Sequence, residues 1–126
     1  MSGKSGQLEA LARLARIKAD ADLRRYAAYR VHAEAMQRQI DALRTDLAEA
    51  IATPGADRLD QWQLTTAVVA YRTGQAQRAE VALARMKPGL EAAQRAATLA
   101  FGRAEALSRL QQLKEDQERR KAERRN

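Results

Sequence analysis

Thr53-Pro54-Gly55-Ala56 separates two long stretches whose composition and spacing otherwise read as uninterrupted helix. Proline has no N–H to give to a helix, and glycine loses the most backbone entropy on entering one. A helix therefore ends here and another begins. A long helix, a tight break and a longer helix predict an antiparallel hairpin. The fold class expected is all-α: a long antiparallel two-helix coiled-coil hairpin in a single domain spanning 1–126.

Working outward on the N-terminal side, helix 1 is expected over 7–52. Met36, Ile40, Leu43, Leu47 and Ala50 step by four, three, four and three, which is the a/d seam of a coiled coil. Tyr26, Tyr29 and Ala33 extend it backward. Leu8, Leu11, Leu14 and Ile17 step by three, which predicts either a stutter in the register or a second apolar face. At about 1.5 Å per residue such a helix would approach 70 Å, too long to persist without a partner. Residues 1–6 are small and polar and are expected to be disordered. Gly3-Lys4-Ser5 looks like the end of a phosphate loop but lacks the earlier glycine and the strand that such a loop needs.

On the other side, the turn is placed at 53–56 and helix 2 over 57–113, with Asp57 as its N-cap. Leu59, Trp62, Thr66, Val69, Thr73 and Ala76 step by three and four. Leu83, Met86, Leu90, Ala93, Ala97, Ala100, Ala104 and Leu107 resume the pattern. Alanine at so many seam positions predicts a close approach of the two helices. Pro88-Gly89 interrupts the run and allows two outcomes, a kink in one helix or a turn into a third. The heptad stays in phase from Met86 to Leu90 to Ala93, which favours the kink. From Lys114 onward only Ala122 is apolar, so 114–126 is read as a charged tail, either a frayed single helix or a segment that folds fully only on a partner.

Composition narrows the function. Aromatic residues make up 4% of the 126 residues, which leaves a β-sheet little to build on, and alanine inflates the apolar fraction while burying little area, so a wide core is not expected. There are no cysteines, hence no disulfide or thiolate site. No apolar run is long enough to span a bilayer, so no membrane insertion is expected and the cytoplasm is the expected compartment. The net charge is +7: residues 1–52 carry nine basic and seven acidic side chains, and 53–126 carry 14 and nine. The basic tail reads as a solvated helix end, a docking arm for an acidic protein or a nucleic-acid contact. Glu115, Asp116, Glu118 and Glu123 repel phosphate and no aromatic residue is interleaved, which disfavours nucleic acid. His32 is the only histidine and Asp20 and Asp22 do not share a helix face, so no catalytic group, metal or cofactor is expected. Trp62 reads either as a plug in the open end of the seam or, with Leu64 and Val68 nearby, as part of an exposed anchor.

Three segments carry a resemblance to a known family. They are Leu8-Glu-Ala-Leu11-Ala-Arg-Leu14, Asp57-Arg58-Leu59-Asp60-Gln61-Trp62, and Arg103-Ala-Glu-Ala-Leu107 through Leu110-Gln-Gln-Leu113-Lys-Glu-Asp-Gln-Glu118. In these and in its overall plan the chain resembles the stalk proteins of bacterial type III export, the flagellar FliJ family and its YscO-like virulence relatives. The resemblance implies a non-enzymatic coupling protein that contacts a hexameric export ATPase, the cytoplasmic domain of an inner-membrane export gate and export chaperones. It would place the ATPase contact at Leu11, Leu14, Ile17, Leu107, Leu110 and Leu113. The gate contact would lie near the hairpin, at Leu43, Leu47, Trp62 and Val69. Two other functions stay open: an adaptor coiled coil that dimerises into a helical bundle, and a basic helical nucleic-acid binder.

Overall fold

The computed structural model describes residues 2–52 and 59–125. They form two helices, α1 (Ser2–Ala52) and α2 (Leu59–Arg125), packed against each other as an all-α hairpin. The expected turn at 53–56 and the Asp57 N-cap lie outside the described residues. Helix α1 begins at Ser2, so the Ser2–Gly6 stretch expected to be disordered is helical. Helix α2 runs through Arg125, so the charged tail continues the helix. Arg124 and Arg125 occupy its last turn, where a cation meets the negative end of the helix dipole.

Pro88 lies inside α2, which removes the third-helix alternative. The proline takes away the donor that Ala84 would otherwise receive. Both residues are exposed, so water can reach the freed carbonyl. Gly89 serves the packing: a Cβ there would lie 3.3 Å from Tyr29 Cε1, so the ring rests where a side chain would be.

The chain divides into two compact units, one of Met1–Ala28 with Glu91–Asn126 and one of Tyr29–Leu90. In the first unit the α1 seam is Ser5, Leu8, Ala12, Ala15, Ala19, Asp22 and Tyr26. Facing it are Ala93, Ala97, Ala100, Ala104, Leu107, Gln111 and Lys114. All steps are three or four, so α1 has no stutter. Of the four residues Leu8, Leu11, Leu14 and Ile17, only Leu8 enters the seam and the others form a second, outer face. Alanine and aspartate at the true seam positions leave a faint apolar signal, and the outward leucines outweigh it in the sequence. Ser5 Oγ donates to Glu118 Oε1 at 3.2 Å, which joins the first turns of α1 to the last turns of α2.

The second unit packs Tyr29, Ala33, Met36, Ile40, Leu43, Leu47 and Ala50 against Leu90, Met86, Leu83, Ala79, Ala76, Arg72, Val69 and Thr65. Ile40, at 1% exposure, is its one fully enclosed large side chain among the described residues. Arg44 Nε donates to Glu80 Oε1 at 2.9 Å across the pair, and Arg72 Nη1 donates to the Asp46 carbonyl at 3.2 Å. Thr65 and Arg72 take the places that spacing assigned to Thr66 and Thr73. The Thr66 and Thr73 hydroxyls instead donate back to the carbonyls of Trp62 and Val69.

Candidate interaction surface

In the first unit the usual arrangement of sizes is inverted. Its buried residues are all alanines: Ala12, Ala19, Ala93, Ala97 and Ala100. Most of its large apolar side chains lie outside, with Leu8, Tyr26 and Leu107 half-buried in the seam. Leu11, Leu14, Ile17 and Leu23 on α1, and Leu99, Phe101, Leu110 and Leu113 on α2, are each more than half exposed. Scattered surface leucines are ordinary, but eight large apolar side chains exposed around an alanine seam are more than the hairpin's own packing uses.

The heptad register sorts these residues by side. Reversing one helix of a coiled-coil pair sets position e beside e and g beside g. Leu23 and Phe101 both hold position e, and with Ala19, Tyr26 and Ala97 they line one groove whose rim carries Asp20 and Gln94. Leu11 and Leu110 hold position g, on the opposite side. Leu14 and Leu113, at position c, extend that side outward. Ile17 falls at position f, facing away from the seam.

Five of the six residues assigned to the terminal contact are thus open to a partner, four of them on one side of the pair. Leu107 is half-buried in the seam. At the other end the assignments fare differently. Leu43, Leu47 and Val69 are half-buried seam residues, whereas Trp62 is 54% exposed. Leu64 is exposed and Val68 half-buried, and they line a hollow with Ala50, Thr65 and Arg72. Ile51 and Leu59, which the spacing did not single out for a partner, are also exposed at this end. A helical-wheel reading that scored large outward residues as well as the seam could have found them.

The charges are as uneven as the apolar groups. The first unit carries 15 basic and nine acidic side chains, and the second eight and seven. Arg13 pairs with Glu9, Lys18 with Asp22 and Arg119 with Asp116. Among the described residues Arg25, Arg95, Arg103 and Arg109 form no ion pair. His32 is exposed. Among the described residues no group of three or more histidine or carboxylate side chains is placed to hold a metal, and no helix is long and apolar enough to cross a membrane. The arrangement is suited to binding another macromolecule along a helical side.

No family model, curated protein or solved structure matched this chain.

Proposed function

We propose that the chain is a non-enzymatic coupling component of a bacterial flagellar-type (type III) protein export apparatus. Its terminal end would dock on the export ATPase ring and its hairpin end on the export gate, at the cytoplasmic face of the inner membrane. The observation that carries this reading is the outward placement of Leu11, Leu14, Ile17, Leu110 and Leu113 near the ends of both helices. Those leucines add nothing to the hairpin's own seam, and a ring that grips the paired ends gives them something to touch. Such a contact couples to ATP hydrolysis when it favours one subunit conformation over another, because only a difference in affinity between states can shift them. On this reading Trp62, with Ile51 and Leu59, supplies the gate contact, and export chaperones are further partners.

The test is ATPase stimulation by the purified chain. Leu11→Asp or Leu110→Asp should abolish stimulation while circular dichroism shows unchanged helicity. Stimulation that survives both changes would overturn the reading.

The second reading is an adaptor that dimerises into a helical bundle. It is favoured by one feature of α1: Ala10, Leu14, Ile17 and Ala21 step by four, three and four, and all are exposed. A light-scattering mass at twice that of the chain would select it.

A further inference from the structure

We infer that the side of the first unit bearing Leu11, Leu14, Leu99, Leu110 and Leu113 is a seat for an acidic amphipathic helix of another protein, which lies along the pair as a third strand. The inference does not depend on the export reading, because such a helix could belong to any partner.

Three observations lead there. The first is spacing. On α2, Ala92, Ala96, Leu99, Arg103, Ala106, Leu110 and Leu113 step by four and three without a break, and all are exposed. A line of that period is a second coiled-coil seam, and it matches the anchor spacing of a helix laid in a groove. Leu11 and Leu14 of α1 flank the same side. The second is size. Three alanines, Ala92, Ala96 and Ala106, are interspersed with the leucines along the line, so another backbone can come close and set its own large side chains over them. A lipid surface would gain little from alanine, and the exposed phenylalanine of this unit, Phe101, is on the opposite side.

The third is charge, and it selects the occupant. Arg103 interrupts the apolar line at position g, and Arg25 holds position g of α1. Arg95 and Arg109 border the line at position f. None of the four has an ion-pair partner among the described residues. Covering an unpaired guanidinium with another cationic surface costs free energy, and the unit is strongly basic, which counts against a second copy of the chain. A carboxylate-bearing helix would satisfy the guanidiniums with bidentate hydrogen bonds while its leucines cover the apolar line.

The experiment uses the full chain and a synthetic probe: a fluorescent peptide of four heptads with leucine at a and d and glutamate at e and g. Binding is read by fluorescence anisotropy, with circular dichroism confirming that every variant stays folded. The acidic peptide should bind, and the same peptide with lysine at e and g should not. The Arg25→Glu, Arg103→Glu double variant should weaken binding at least about tenfold, as should Leu110→Ser, since one lost anchor or charge pair is worth that much. On the opposite side Leu23→Ser and Phe101→Ser should change binding by less than about twofold. Equal binding of the acidic and basic peptides would overturn the inference. So would loss of binding confined to the Leu23 and Phe101 variants, or preferential binding to anionic vesicles through the same arginines and leucines. A dimer of the chain in which Leu110 is protected without peptide would also overturn it. Failure of ATPase stimulation with peptide binding intact would count against the export reading alone.

Discussion

Gly89 and Gly102 are both helical glycines in α2, yet their surroundings differ. At Gly102 an added Cβ meets nothing within 4 Å, so an alanine there only restricts the unfolded chain and fills the helix. Gly102→Ala should stabilise the protein by about 0.5–1 kcal/mol. At Gly89 the Tyr29 ring is only 3.3 Å from that position and must retreat by a few tenths of an ångström. The ring is half-buried between the helices, so its retreat disturbs packing. Gly89→Ala should therefore gain measurably less than Gly102→Ala, or lose stability. Thermal unfolding of the two variants side by side decides this, and equal gains would show that the ring moves freely. The sequence marks Gly89 only through the proline before it and says nothing of what either glycine packs against. The difference arises from Tyr29, 60 positions away in the chain.

Asp22 decides what could be read at the scale of the element. Its side chain sits in the α1 seam at 18% exposure, with Lys18 Nζ 3.4 Å from its carboxylate. An ion pair whose lysine stays in solvent contributes at most about 1 kcal/mol, while a leucine sealed in the seam contributes about 1.5–3 kcal/mol. Asp22→Leu should accordingly raise stability by about 1 kcal/mol, read as a higher urea midpoint with an unchanged slope. A lower midpoint would mean that the carboxylate fixes the register in a way leucine cannot. The same residue explains why the hairpin was legible and half of its register was not. From Met36 to Ala50 and from Leu83 to Leu107 large or consistently apolar residues mark the seam, and the helices pair there as their spacing indicates. Between Leu8 and Tyr26 the seam is three alanines and an aspartate, while Leu11, Leu14 and Ile17 point outward. Apolar periodicity reports the strongest hydrophobic face, and in this stretch that face is not the one the partner helix covers. Pro88 carries a related lesson. Its residue type suggested a break, but the in-phase seam around it prevailed and α2 continues.

At the scale of the molecule the balance of charge sets how stability should respond to salt. Buried area is small, since Ile40 is the only large side chain fully enclosed among the described residues. Electrostatic terms of a kcal/mol are therefore a sizeable share of the total. Two opposed terms compete. The five ion pairs found among the described residues are all on exposed or partly exposed side chains, and four of them are within a helix turn. Such pairs are worth a few tenths of a kcal/mol each, and salt weakens them. Against them stands self-repulsion in the first unit, where 15 cations meet nine anions on two helices that must lie side by side. Salt screens that repulsion too, and it acts over every pair of like charges within a Debye length. Repulsion outweighs the pairs because Arg25, Arg95, Arg103 and Arg109 form no ion pair among the described residues. The melting temperature should thus rise between about 0.01 and 0.3 M sodium chloride, as the Debye length falls from about 30 Å to well below 10 Å. A gain of about 1 kcal/mol corresponds to roughly 4 °C for a chain of this size. Neutralising two of the unpaired cations, as in Arg95→Gln with Arg109→Gln, should recover part of that rise at low salt and flatten the salt response. A melting temperature that falls with salt would show that the helix-surface pairs dominate, and that the basic excess is spread widely enough to cost the fold nothing.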